Sequence, residues 1–363
     1  MKTKARVLAY YLPQFHPIAE NDKWWGKGFT EWTNVGKAKR FYPGHYQPRV
    51  PADLGYYDLR VPETREAQAE MARKYGIEGF VYWHYWFGDG KRLLERPFNE
   101  VLASGKPDFP FALAWANETW SGSCHGLVNG KTLIEQKYPG DKDYYNHFMT
   151  ILPAFKDKRY ITCDGKPVFF VYQPKQIPDV AHFIDYWNRL AKASGLSGIY
   201  FVSMRMDLYD TQSVKEWLDE SKRQGFDSVT VANLNKLPKL SLGWRLLRKI
   251  LYAKMHKIPN VRPYDLRIFD VPMSEDIDVW PTVFADWDHT PRTGIRGLVL
   301  HGCTPEKFKQ DVVKKLQQIQ DKPYDHRFLM IKSWNEWAEG NYLEPDIKWG
   351  LQYLEALRSV IKE

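Results

Sequence analysis

Short apolar runs, rich in β-branched and aromatic residues, recur along the chain, and each is bounded by turn residues or a charged segment. Runs of this length and composition predict buried strands of a parallel sheet. Eight of them occur, at residues 6–11, 79–83, 110–115, 167–172, 198–204, 226–232, 279–285 and 327–333.

Segments with helical spacing lie between these runs, at residues 62–75, 141–155, 178–194, 213–224, 305–320 and 349–361. Several begin with proline in the first turn, or with Asp or Ser at a plausible N-cap. Eight strands alternating with helices favour a closed (β/α)8 TIM barrel over an open doubly wound sheet. No glycine-rich phosphate motif, internal repeat or linker interrupts the pattern, so we predict an α/β protein with a single domain over residues 1–363.

Polar and aromatic residues accumulate where the predicted strands end, which is the face of a barrel that carries reactive groups. Aromatic planes and directional polar groups together suit a sugar, whose C–H faces pack on rings and whose hydroxyls need donors and acceptors. The candidate substrate-binding residues are Tyr11, Gln14, His16, His84, Trp86, Trp115, Asn117, Glu118, Tyr172, Asp286, His289, Asn335 and Trp337.

The segment SWNEWAEG, residues 333–340, follows the eighth strand and carries the candidate catalytic pair Glu336 and Glu339. If a helix begins here, the two carboxylates share one face and can supply the acid and the base of glycosidic cleavage. The alternative is that both acids only favour the first turn of a helix.

Simpler roles are open for the other candidates too. Glu118 could be a surface loop acid, and His84 and His289 could be structural histidines. Asp286, Asp288 and His289 could hold a metal, but the sequence has no HExxH or calcium-loop spacing, so we expect no metal and no cofactor.

Three cysteines, Cys124, Cys163 and Cys303, are too few and too scattered for a disulfide framework, which favours a reducing compartment. The apolar run near the N-terminus is too short for a secretory signal, and no stretch is long enough to cross a membrane. We therefore expect a cytoplasmic protein.

The net charge of +8 is concentrated in one segment, since residues 236–267 contain nine basic residues and one acid. Within residues 241–257, Leu247, Ile250, Leu251 and Met255 fall at helical spacing and basic residues occupy the remaining surface. The pattern resembles a helix that contacts an anionic membrane surface, which would make the protein peripheral at the inner membrane face. The alternative is an amphipathic helix that caps the barrel. Nucleic acid is not expected, because no binding motif accompanies the charge.

Several long motifs together resemble the WbsX family, which is related to family 99 of the glycoside hydrolases: YYLPQFHPI, WWGKGFTEWTNVGKAKRFYPGHYQPRVPADLGYYDLR, GFVYWHYWF, ALAWANETW and SWNEWAEGNYLEP. The resemblance implies a (β/α)8 barrel and a mannoside-like substrate. It also implies that Glu336 draws the proton from the substrate 2-hydroxyl, and that Glu339 protonates the leaving oxygen and then activates water. This retaining route passes through an anhydro sugar.

The leading hypothesis is a retaining glycoside hydrolase or transglycosidase acting on a polysaccharide or a lipid-linked oligosaccharide. A glycosyltransferase of lipopolysaccharide, O-antigen or capsule biosynthesis is the first alternative. A glycan-binding barrel without catalysis is the second.

Overall fold

A ring of parallel strands forms the centre of the protein and confirms the predicted (β/α)8 barrel. The computed structural model describes residues 2–122, 130–207, 211–236, 242–243, 246, 249–250, 258–264 and 271–363, with backbone alone at 206–207, 211 and 232–236. The strands are β1 (Arg6–Tyr11), β2 (Gly79–Trp86), β3 (Phe111–Trp115), β4 (Lys166–Val171), β5 (Tyr200–Asp207), β6 (Ser228–Lys236), β7 in two pieces (Asp278–Trp280 and Thr282–Phe284) and β8 (Phe328–Lys332).

The ring closes because β1 pairs with β2 on one side and with β8 on the other. The first piece of β7 pairs with β6, and its second piece pairs with β8. Pro281 separates the two pieces, since proline has no N–H for the ladder. Its carbonyl still accepts a hydrogen bond from the Met330 N–H at 2.9 Å.

Helices surround the strands, and all six predicted helices are present with boundaries within three residues of the expected ones. Four other described helices, α1, α2, α4 and α8, were not predicted. The helices are α1 (Ala19–Trp25), α2 (Glu31–Gly36), α3 (Pro62–Lys74), α4 (Arg96–Ser104), α5 (Asp141–Phe155), α6 (Val180–Ala193), α7 (Thr211–Arg223), α8 (Thr290–Thr293), α9 (Pro305–Ile319) and α10 (Gln352–Ile361). Short strands lie at Arg92–Leu93, Trp120–Ser121, Thr132–Ile134, Thr162–Cys163, Asn260–Pro263, Leu298–His301, Asn335–Glu336 and Asn341–Tyr342.

Helix α9 illustrates how local sequence sets these boundaries. The Thr304 hydroxyl accepts a hydrogen bond from the Lys307 N–H at 3.3 Å, and Pro305 occupies the first turn, where its missing N–H costs nothing. Phe308 and Val312 lie four positions apart and are fully buried. The helix therefore begins at a capped proline turn and packs one apolar face against the barrel.

The segment after β8 does not begin an α-helix, which corrects the expectation for residues 333–340. Asn335–Glu336 pairs antiparallel with Asn341–Tyr342, and Trp337–Glu339 forms a single 3-10 turn between them. Side chains three apart are eclipsed in a 3-10 turn, so Glu336 and Glu339 still share a side. Gly340 closes the turn with a φ of 69°, where a Cβ would lie 2.7 Å from the Asp288 nitrogen, so only glycine fits.

The basic insertion leaves the barrel on the face where the strands end, and part of it returns beside the same face before the chain enters β7 at Asp278. It follows β6, and its last described part, Asn260–Pro263, pairs with Leu298–His301 beside β7. The Tyr264 hydroxyl donates to the Phe284 carbonyl at 2.9 Å. Among the described residues of the insertion, 242–243, 246 and 249–250 are helical. Leu247, Leu251 and Met255 of the predicted helix lie outside the described residues.

Among the residues that the structure describes, no helix has the length and apolar character needed to cross a membrane. Cys163 and Cys303 are buried free thiols, and Cys124 lies outside the described residues.

Candidate active site

Glu336 and Glu339 lie together at the end of β8 and share two buried cations. Lys332, the last residue of β8, pairs with Glu336 and places its Nζ 3.7 Å from Glu339 Oε2. Arg292 of α8 pairs with Glu339 and places its Nη1 3.7 Å from Glu336 Oε1. The two acids are only 5% and 6% exposed. Buried carboxylates need such partners, so the four groups form one charged unit.

A third carboxylate joins this unit from the N-terminal insert. Glu31 begins α2, whose N-cap is Thr30, and its Oε2 lies 3.2 Å from Arg292 Nε. Glu31 is fully buried. Residues before β2 therefore help to build a site whose pair of acids follows β8.

The cations decide the charge of Glu339. Burial alone would raise the pKa of Glu339, but Arg292, Lys332 and His289 hold it well below its usual range. Burial lowers the pKa of Lys332 to about 8, which Glu339 opposes, so the lysine still carries its charge at neutral pH. The described arrangement thus holds Glu339 as a carboxylate.

Glu118 behaves in the opposite way. It lies in the loop after β3, where burial and the charge of Glu339 raise its pKa to about 7. The side chain of Gln173, from the loop after β4, hydrogen-bonds to it. Among these acids, Glu118 is the one that holds a proton close to neutrality. Carboxyls with such separated pKa values are typical of acid and base partners in active sites.

Aromatic rings line the site beneath these charges. Lys332 Nζ lies 5.5 Å from the centre of the Trp83 ring, and Tyr172 meets the same ring edge-on at 5.3 Å. The charges of Arg292 and Glu118 both act on the pKa of the Tyr85 hydroxyl, which Arg292 lowers and Glu118 raises. Such faces suit the C–H surfaces of a sugar ring.

Two further candidates fit the mouth. His289 places its Nε2 3.6 Å from Glu339 Oε1. Gln14 is 3% exposed, and its amide nitrogen is buried without a protein partner among the described residues. A buried donor without a partner is available for a ligand.

The structure places His84, Trp86 and Trp115 in a packed cluster outside the ring of strands, which corrects their prediction as substrate contacts. All three surround His147 of α5: His84 Nε2 lies 2.8 Å from His147 Nε2, and Trp86 stacks on the His147 ring at 4.7 Å. Burial lowers the pKa of His84 to about 3, so it is neutral. Because side chains alternate along a strand, Trp83 and Tyr85 point inward instead.

Tyr11, Asn335 and Trp337 support the site rather than line it. The Tyr11 hydroxyl donates to Gln68 at 2.7 Å, and Trp337 Nε1 donates to Glu344 at 2.6 Å. Asn335 accepts a hydrogen bond from the Leu12 N–H at 2.7 Å and donates to the Leu12 carbonyl at 3.1 Å. These contacts fasten the turn that carries the catalytic pair to β1.

Protein groups likewise engage the Asn117 side chain, whereas His16 keeps one ring nitrogen, Nε2, buried without a partner among the described residues. The Asn117 amide nitrogen donates to the Gln173 carbonyl at 2.9 Å, and its oxygen accepts from the Gln173 N–H at 2.8 Å. Asn117 therefore joins the two loops that bring Glu118 and Gln173 together. His16 Nδ1 lies 2.9 Å from the Pro13 carbonyl, and burial lowers the His16 pKa.

Asp286 and Asp288 bind the N-terminal insert, not a ligand. Arg49 Nη2 lies 2.9 Å from Asp286, and His45 and Gln47 each contact Asp288 Oδ2 at 2.7 Å. The Thr290 hydroxyl donates to the other Asp288 oxygen at 2.6 Å. Protein groups contact both oxygens of Asp288. The predicted alternative, a metal held by Asp286, Asp288 and His289, is therefore not favoured by this arrangement.

A second group of metal-ligating residue types, Cys163, Asp164 and His326, lies among the described residues before β4 and β8. His326 Nε2 contacts Asp164 at 2.9 Å, while its Nδ1 contacts Asp278 at 3.2 Å. The ring nitrogens therefore bind two carboxylates in opposite directions, and these carboxylates raise the His326 pKa against the effect of burial. This arrangement is a charged bridge between strands, because no nitrogen is left for an ion.

Sequence reasoning missed five residues of the site: Glu31, Trp83, Tyr85, Arg292 and Lys332. Lys332 had a recognisable signal, because a lysine that ends the apolar strand FLMIK must find a partner when buried. The others depend on which faces turn inward and on contacts between distant segments.

Comparisons with known proteins identify the family of the chain and proteins that share its fold. The model of the family described as Glycosyltransferase WbsX matches residues 7–357. The chain belongs to the WbsX family. Protein WxcX from two strains of Xanthomonas campestris pv. campestris is 32% identical over 367 and 369 residues, covering 98% of this chain. The chain spans 50% of the length of these relatives.

Solved structures with low sequence identity share the fold of this WbsX family member. A glycoside hydrolase-like protein superposes with a TM-score of 0.63 at 15% identity, covering 99% of this chain and 94% of that one. The GH99 endo-alpha-mannosidase from Bacteroides thetaiotaomicron gives 0.55 at 14% identity, covering 98% and 95%. At these identities the likeness supports the barrel fold alone.

Proposed function

We propose that the chain is a retaining glycoside hydrolase or transglycosidase that acts on a polysaccharide or a lipid-linked oligosaccharide with mannoside-like sugars. One observation carries the proposal: Glu336 and Glu339 are buried side by side, paired with the same two cations, at the end of a barrel strand. The mannoside-like substrate rests on the family resemblance, and the GH99 endo-alpha-mannosidase with the same fold is consistent with it.

In this proposal Glu336 takes the proton of the substrate 2-hydroxyl, and the freed oxygen attacks the anomeric carbon. The bond to the leaving oxygen breaks, and that oxygen receives a proton from an acid. Water then opens the anhydro sugar at the anomeric carbon and gives a proton to the same acid, now a base. Glu336 returns its proton to the 2-oxygen, so the configuration is retained and all protons balance.

The acid in this scheme is Glu118, not Glu339 as the family resemblance implies. Glu118 holds a proton near neutral pH, because burial and the Glu339 charge raise its pKa to about 7. Arg292 and Lys332 keep the pKa of Glu339 low despite its burial. The Glu339 carboxylate then works ionised and stabilises the positive charge that develops at the anomeric carbon.

The test is product analysis with the cell's own surface glycan and its lipid-linked precursor, with Glu336→Gln and Glu339→Gln as variants. We expect a released sugar whose anomeric configuration, followed by NMR, matches that of the substrate. Water labelled with ¹⁸O separates hydrolysis, which incorporates the label, from transfer, which does not. Full turnover in Glu336→Gln would refute the assignment, and so would inversion at the anomeric carbon.

The second candidate is a glycosyltransferase that uses an activated sugar, in agreement with the family description. The low pKa of Glu339 favours it, since a phosphate leaving group departs without a proton and needs no acid beside it. Incubation with lipid-phosphate and nucleotide sugars, followed by mass spectrometry of the acceptor, distinguishes it from the first candidate.

The proposed cellular location is the cytoplasm. The free thiols of Cys163 and Cys303 support this proposal, because free thiols persist in a reducing compartment.

A further inference from the structure

An exposed apolar row lies on the helical part of the basic insertion. Leu242, Leu246 and Ile250 are 70%, 53% and 54% exposed. They lie four residues apart, and on an α-helix such positions are offset by only about 40° each, so the three side chains share one face. Lys249 is exposed beside them. We refer to these four residues as the insertion face.

The sequence prediction placed Ile250 on one face with Leu247 and Leu251. Leu247 and Leu251 lie outside the described residues, so that part of the prediction stays a prediction, and the described apolar residues that share the face of Ile250 are Leu242 and Leu246. Contiguous exposed apolar groups of this kind mark interaction sites in proteins that are otherwise well packed. A partner for the insertion face should therefore have an apolar surface.

The charge of the segment identifies the chemistry of this partner. Residues 236–267 carry nine basic residues and one acid, which equals the net charge of +8 for the whole chain. The partner should therefore combine an apolar interior with a negatively charged surface, to match the exposed apolar row and the positive charge of the segment. An anionic lipid bilayer has both, because its headgroups bind basic residues while apolar side chains enter between the headgroups.

The position of the insertion adds a geometric argument. It starts at the C-terminal end of β6, and its return strand Asn260–Pro263 pairs with Leu298–His301. The His289 N–H donates to the Leu298 carbonyl of this pair at 2.9 Å. The start of the insertion and its described return strand thus lie at the face of the barrel that holds Glu336 and Glu339. We propose that the insertion face docks on an anionic membrane and holds the mouth of the barrel close to the lipid surface.

The test is co-sedimentation with vesicles of phosphatidylcholine alone and of phosphatidylcholine with about a third phosphatidylglycerol, with no glycan substrate present. The protein should pellet with the anionic vesicles only, and less so in high salt, because screening shortens the reach of the charges. The triple variant Leu242→Ser/Leu246→Ser/Ile250→Ser should lose at least about tenfold in binding.

A matched control uses Tyr145→Ser/Met149→Ser, two residues of α5 that are also four apart and 43% and 41% exposed. This control should bind vesicles like the parent protein, and both variants should keep the parent's circular dichroism spectrum. Equal pelleting of the triple variant and the parent would overturn the proposal, as would no pelleting of the parent. Self-association of the parent in sedimentation velocity, abolished in the triple variant and without vesicle binding, would assign the insertion face to a second copy instead.

Discussion

At the scale of single residues, the site is organised by two cations as much as by its acids. Arg292 and Lys332 each contact both Glu336 and Glu339, and Arg292 also contacts Glu31. The same unit acts on Glu118 in two directions. Burial is the main cause that raises the pKa of Glu118 to about 7; the charge of Glu339 adds to this effect, and the charge of Arg292 opposes it.

The proposed acid can be identified from the pH dependence of turnover. Since an acid must be protonated to act, kcat/KM should fall as pH rises above about 7, the pKa of Glu118. Glu118→Gln should lower kcat/KM on the natural glycan by about 10²- to 10⁴-fold. The measurement is a pH–rate profile from pH 5 to 9 on the natural glycan.

A substrate with a fluoride or dinitrophenolate leaving group provides the control, because these groups depart without a proton. Glu118→Gln should turn over this activated substrate almost as fast as the parent protein, while Glu336→Gln should not. If the activated substrate rescues Glu339→Gln and leaves Glu118→Gln inactive, Glu339 is the acid and our assignment is wrong.

At the scale of elements, the short apolar runs predicted which segments form the barrel but not which side chains face its mouth. All eight strands were predicted from apolar runs, since a strand buried on both faces shows no alternation. For the same reason His84 and Trp86 could not be distinguished from Trp83 and Tyr85, their neighbours in β2. The inward and outward faces of β2 differ only in the elements that pack on them. A single sequence does not show which elements these are.

The N-terminal insert is the second element that sequence alone could not place. Its residues contact the segment after β7, from which they are separated by about 240 to 260 residues in sequence. The pairs are Arg49 with Asp286, His45 with Asp288, and Glu31 with Arg292. Local patterns carry no information about contacts at this separation. The family motif contained these residues, but their tasks became visible only in the fold.

Removal of Arg49 should therefore destabilise the protein. Arg49 is 5% exposed, pairs with Asp286 and donates to the Gly340 carbonyl at 3.0 Å. Arg49→Ala removes the cation from the half-buried Asp286 carboxylate and the donor from the Gly340 carbonyl, a change that we expect to cost about 2 to 3 kcal/mol, below the cost of breaking a fully buried pair. Arg60→Ala is the matched control, since Arg60 pairs with Asp58 at the surface, where such pairs contribute below about 1 kcal/mol. Thermal unfolding by circular dichroism should give a clearly lower Tm for Arg49→Ala alone. Equal values for both variants would contradict the structural role of the insert.

At the scale of the whole molecule, the buried acids connect folding stability to pH. Glu344 is 2% exposed and accepts hydrogen bonds from Trp337 at 2.6 Å, Gln68 at 2.7 Å and Tyr57 at 2.8 Å. Burial outweighs these donors and raises the pKa of Glu344 from 4.5 to about 7. The folded protein thus binds this proton more tightly than the unfolded chain does.

The sign of the effect follows from this difference. Below pH 4.5 the carboxyl is protonated in both states, and its contribution to stability is fully present. As pH rises towards 7 the unfolded chain releases the proton first, so stability is lost; above about 7 both states are ionised and the loss from this group is complete. A difference of this size in pKa corresponds to about 3 kcal/mol in the free energy of unfolding.

Glu344→Gln removes the titration, so the fall in Tm between pH 5 and pH 8 should be smaller in this variant than in the parent protein. The exposed Glu66→Gln should follow the parent, and if Glu344→Gln does so too, the carboxyl titrates alike in both states and burial does not govern its proton.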